Sequence, residues 1–192
     1  LVYRRRPREF NVMAKLEILC LPEDEIILRE ESQYISSVTP EIKSFIRDLL
    51  ETLRTSERPG VGLAAPQVGK NIRIIVLESC GWKNDKDELV GVIPLKILIN
   101  PEVIKFSEEK DERFEGCLSV PDYNGYVTRP KKVKVRALDE NGNEVIIKAS
   151  GFLARVLQHE IDHLNGILFI DHIKDKKKLL SAHEETDGHE AE

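Results

Sequence analysis

The sequence predicts an α+β domain in which antiparallel strands wrap a central helix, the one that holds HExxH, with an amphipathic helix on its N-terminal side. Three observations carry the fold class: an apolar helical stripe at residues 39–60, a group of β-branched runs between 71 and 149, and a second apolar helical stripe from Ser150. Helix, several strands and then helix is not the regular alternation that builds a parallel sheet, so the strands are expected to pair antiparallel.

In chain order, residues 1–12, "LVYRRRPREFNV", precede the single methionine, Met13. They read as a cloning scar or the remnant of an upstream extension, with Met13 as the natural start. One domain is then expected over residues 13–174, followed by a charged tail over 175–192. In "TPEIKSFIRDLLETLRTSERPG" the apolar residues Ile42, Phe45, Ile46, Leu49, Leu50 and Leu53 recur at helical spacing. Thr39 suits the N-cap, Pro40 the first helical position, and Pro59-Gly60 the end. "NIRIIVLE" and "KILINPEVIKF" read as strands, with Pro101 as a break. "KKVKVRAL" and "EVIIKA" flank "DENGN", whose Asn141-Gly142 pair tolerates positive φ and signals a hairpin. A second helix is expected from near Ser150, burying Phe152, Leu153, Val156, Leu157, Ile161 and Leu164, and stopping at Asn165-Gly166. From Lys174 onward charge dominates, and a short helix fraying into a disordered tail is expected.

Composition narrows the function. A chain of 192 residues with 41% hydrophobic content fits one globular domain. A formal charge of −5 lacks the basic footprint of a nucleic-acid binder. The apolar run "VIPLKILI" from Val92 is far shorter than the roughly 20 residues of a membrane span. Cys20, Cys80 and Cys117 show no CxxC spacing, so neither a disulfide framework nor a four-cysteine zinc site is expected. A reducing cytosol is the simplest home, with an organelle as the other.

The pentapeptide "HEIDH", residues 159–163, falls inside the second predicted helix. His159 and His163, four apart, share a helix face, and Glu160 is turned from His159 by about 100°. Two such histidines can hold one metal ion with the glutamate as base. A histidine on an apolar face is as often a hydrogen-bonded core residue, so the pentapeptide alone leaves both readings open. A catalytic site of the zinc type needs a third protein ligand. The extended pattern HExxHxxGxxH would place a histidine at 169, where this chain has Phe169, and His172 misses the register. Glu184, Glu185 and Glu190 lie in a segment too polar to pack beside a buried ion. Upstream, "RFEGCLSVPDYNG" offers Cys117 at the end of a predicted strand. Its thiolate would suit a first-row ion, and its plain alternative is a small buried hydrophobe.

"GVGLAAPQVG" (60–69), "EGCLS" (115–119) and "QHEIDHLNG" (158–166) together resemble the three signature motifs of the peptide deformylases, in the same order and at similar spacing. The resemblance covers about residues 16 to 172. It implies Cys117, His159 and His163 as ligands of one divalent ion, with Fe²⁺ expected and zinc, nickel or cobalt also suited to the donors. It implies Glu160 as the proton carrier, and the Gln67 amide and Leu118 N–H as oxyanion donors. The implied reaction removes the N-formyl group from formyl-methionine at the N terminus of newly made polypeptides and releases formate. A peptide lying as an added strand would use the backbone of Val61, Gly62 and Gly116, with Val61, Leu157 and the helix near His159 around its first side chain. Asn124 stands where many bacterial members carry an arginine, and Tyr126 follows. A cytoplasmic enzyme is implied, without need of nucleic acid or membrane and with a ribosome contact open. The competing reading is an HExxH metalloprotease.

Overall fold

The computed structural model describes residues 14–182, so the expected extension at 1–12 and the end of the expected tail lie outside the described residues. After a single turn of helix, α1 (Glu25–Leu28), comes α2 (Pro40–Arg54), whose N-cap Thr39 accepts from the Ile42 N–H at 3.4 Å. Strands β1 (Gly62–Ala64), β2 (Ile74–Lys83), β3 (Leu89–Phe106), β4 (Lys110–Cys117), β5 (Val120–Pro130), β6 (Lys132–Leu138) and β7 (Glu144–Ser150) follow. Helix α3 (Gly151–Leu164) carries HEIDH, and the short strand β8 (Leu179–Ser181) comes last.

The pairing is antiparallel throughout both sheets. One has five strands in the order β1-β2-β3-β6-β7, the other three in the order β4-β5-β8. The α+β architecture is therefore two antiparallel sheets with helices packed on them. Strand β2 shows why "IIVL" is apolar without interruption. Ile75 and Leu77 pack with Leu157, Ile161 and Leu164 of α3, whereas Ile74 and Val76 pack with Ile46, Leu49 and Leu53 of α2. Side chains alternate across a strand, so a strand covered on both faces needs apolar residues at every position. Leu49 and Leu157 are fully buried, and truncating either to alanine should cost about 2–5 kcal/mol.

Two expectations need correction. Pro101 does not end a strand, because β3 runs through it from Leu89 to Phe106. A bulge between the Ile99 and Glu102 pairs absorbs the missing N–H, with Asn100 at φ 52° and its side-chain amide bonded to both backbone groups of Ile35. Among the described residues after Lys174, a short 3-10 turn at Lys176–Lys178 leads not into a fraying end but into Leu179–Ser181, which pairs with Tyr123–Gly125 as an outer strand. Leu179 packs beside the buried cluster of Val120, Val127, Leu168 and Phe169, an apolar anchor inside a charged stretch. No helix among the described residues is long and apolar enough to cross a membrane.

Candidate metal centre and active site

Cys117 closes β4 where its register with β5 shifts, between Gly116 and Cys117, and the sulfur ends opposite the middle of α3. The ligand atoms of Cys117, His159 and His163 all lie within 4.8 Å of one another, and Cys117 Sγ is 3.3 Å from His163 Nε2. Around one tetrahedral ion, sulfur at about 2.3 Å and nitrogen at about 2.0 Å stand roughly 3.5 Å apart. The observed spacing fits that edge, so the three donors fit a single divalent ion. His163 is buried, with its Nδ1 atom lacking a hydrogen-bond partner.

His159 is oriented from behind. Its Nδ1 donates to Glu115 Oε2 at 3.0 Å, which leaves Nε2 as the free donor atom. Glu115 in turn accepts from Arg129 at 2.7 and 3.0 Å and from Arg155 at 2.5 Å. Arg129 also reaches Asp162 at 2.6 Å, and Arg155 reaches Asp111 at 2.9 Å. Burial opposes charge on Glu115, but His159 and the Arg129 guanidinium outweigh it and hold the carboxyl well below the usual range. Glu115, Arg129 and Arg155 escape the motif-based reading, although a signal existed. Arg155 and His159 are four apart on one helix face, and an arginine within an apolar stripe requires a buried acid.

Glu160 has no such support. Its Oε2 atom is buried without a hydrogen-bond partner, and burial pushes the carboxyl up to about 7. Gly62 gives it room: a Cβ there would lie 2.4 Å from Glu160 Oε1. Gln67, also buried, has its amide fixed at both ends. Its Oε1 accepts from the Ala64 N–H at 2.8 Å, while Nε2 donates to Ser119 Oγ at 3.1 Å and lies 3.6 Å from Cys117 Sγ. The N-terminal segment ties these two loops together, with Leu19 N–H donating to Gln67 O at 2.8 Å and Leu21 N–H to Ser119 O at 2.9 Å.

These groups meet at a cleft of about 620 Å³ that is lined by Val61, Gly62, Gln67, Gly116, Leu118 and Glu160, among others. Leu157 is the exception among the expected cleft residues. It is fully buried in the core against β2, because its place on the helix turns it toward the five-stranded sheet. Phe152, Val156 and His159 present the helix face that borders the cleft. Cys20 and Cys80 are free thiols outside the donor group.

A family model for polypeptide deformylases matches residues 15–179. The peptide deformylase of Halothermothrix orenii is 50% identical over 147 residues, covering 77% of this chain and 87% of that protein. The peptide deformylase of Psychrobacter cryohalolentis is 43% identical over 166 residues, covering 86% and 83% respectively. Among solved structures, the Met-Ala-Ser-bound class I type b peptide deformylase of Acinetobacter baumannii superposes with a TM-score of 0.75 at 36% identity, covering 84% of this chain and 100% of that one. The family model spans most of the chain and these relatives are 43% and 50% identical to it, and on these grounds the chain belongs to the polypeptide deformylase family.

Proposed function

We propose that this chain removes the N-formyl group from the amino-terminal formyl-methionine of newly made polypeptides, using one divalent ion held by Cys117, His159 and His163. The observation that carries the reading is a cleft where Cys117 and His159, with His163 grouped beside them, meet a buried carboxyl and a fixed amide, in a chain of this family. Helix α3 is then the central metal-binding helix around which the strands are arranged. When bound, the ion acts as a Lewis acid and brings the pKa of water from 15.7 toward about 7.

The chain's own residues supply the rest. Glu160 accepts a proton from the attacking water and returns it to the departing amine, a role suited to a carboxyl that burial brings near neutrality. Of the two Gln67 Nε2–H groups, one donates to Ser119 Oγ and the other leans toward Cys117 Sγ at 3.6 Å; the latter, with the Leu118 N–H, would turn to the developing oxyanion. Strand β1 is the edge of one sheet and β4 the edge of the other. A peptide entering as an added strand has the backbone of Val61 and Gly62 on one side and Gly116 on the other. Iron(II) is the proposed ion, although one thiolate and two imidazoles also accept zinc, nickel or cobalt. The proposed catalytic domain runs through Ser181, and the proposed location is the cytoplasm.

The protease reading loses its remaining downstream ligand within the described residues. His172 turns to Asp162 at 2.8 Å, and Phe169 stacks on His159 with ring centroids 6.3 Å apart. Formate release from formyl-Met-Ala-Ser by protein loaded anaerobically with iron, nickel or cobalt tests the proposal. Turnover is expected with at least one ion and no cleavage of internal peptide bonds. Absence of formate from all three forms overturns the reading.

A further inference from the structure

Near the turn of the β2–β3 hairpin, where Trp82 pairs with Val90, the sheet meets the first turn of α3. There Trp82 meets Phe152 edge to face, with ring centroids 5.0 Å apart and planes at 83°. Phe152 borders the cleft, while Trp82, 48% exposed, stands behind it. The hairpin is shaped for this contact. A Cβ on Gly91 would lie 1.9 Å from the Trp82 ring, so the indole lies across a backbone position that only glycine leaves open. On α3 the cleft-facing residues Phe152, Arg155, Val156 and His159 follow helical spacing. From His159 back to Phe152 is seven residues, about 10.5 Å along the axis. Phe152 therefore lies about two helical turns from the metal-ligand end of α3, at the far end of the helix face that borders the cleft.

We propose that Trp82 is a specificity-determining positioning residue: it holds Phe152 as the distal wall of the pocket for the peptide's first side chain. The indole never touches the reacting atoms. It fixes the ring that does border the substrate, and so limits the pocket to narrow side chains such as methionine. This inference rests on the deformylase reading proposed above.

Trp82 is the single tryptophan of the chain, so the protein carries its own reporter. Titrating the product peptide Met-Ala-Ser into metal-loaded protein should change tryptophan emission in step with binding followed by equilibrium dialysis. Binding without any emission change would overturn the contact. A second measurement compares kcat/KM for formyl-methionyl and formyl-phenylalanyl peptides. In Trp82→Ala the ratio should fall by about 3- to 10-fold, the scale of one aromatic pair. Trp82→Phe should stay within about twofold of the parent, because an aromatic edge is kept. Gly91→Ala should reproduce the alanine phenotype by displacing the indole. A ratio unchanged in Trp82→Ala removes the inference but leaves deformylation standing. Parent protein that releases no formate from any formyl peptide removes both.

Discussion

Glu115 and Glu160 are both buried carboxylates beside His159, yet their surroundings are opposite. Glu115 accepts from one imidazole and two guanidinium groups and is held well below the usual carboxylate range. Glu160 keeps an unpartnered oxygen, and burial drives it up to about 7. A carboxylate saturated with donors is a fixed orienting charge and a poor proton carrier. One buried without a protein donor is costly to the fold but ready to exchange a proton.

The sharpest way to separate the two is to neutralise each in turn. Glu160→Gln should lower formate release by about 10²- to 10⁴-fold with metal content unchanged, since no ligand is lost. Near-normal turnover would mean that Glu160 carries no proton. Gly62→Ala presses a methyl group into the same carboxylate, and a displacement of about 1 Å should cost on the order of 10²-fold in kcat. If its kcat matches the parent, Glu160 does not need its observed place. Glu115→Gln should instead weaken metal retention by about 10- to 100-fold in a chelator competition. It should also lower stability in urea by about 3–5 kcal/mol, because Arg129 and Arg155 remain buried with a charge partner removed. Full stability and full metal content in that variant would erase the distinction drawn here. The exposed pair of Arg54 and Glu78, 2.6 Å apart, gives the baseline. Arg54→Ala should cost less than ~1 kcal/mol and leave metal content unaltered.

The same contrast explains what could be read from the chain. Residues with a unique chemistry at a short spacing stood out, as in the histidines of HEIDH and the cysteine of EGCLS. The Asn141-Gly142 turn and the α2 stripe were legible because local geometry dictates them. Glu115 and its arginines were not, since their meaning depends on three segments meeting, with Glu115 and Arg155 40 residues apart. Leu157 was misassigned for a related reason. Apolar periodicity says that a helix face is buried, but not whether the neighbour is a sheet or a cleft. Pro101 misled because a bulge, unlike a strand end, has no distinct local signature.

Strand β8 bears on how this protein should be handled. Its three residues cover one side of β5, the strand that also supplies Asn124 and Arg129. Ending the chain at Lys174 would strip that cover and expose an edge where the hydrogen bonds of Tyr123–Gly125 are now made. Open edges recruit further strands, including those of other copies. An expression boundary chosen by charge alone would therefore invite aggregation, whereas one placed beyond Ser181 retains the native sheet.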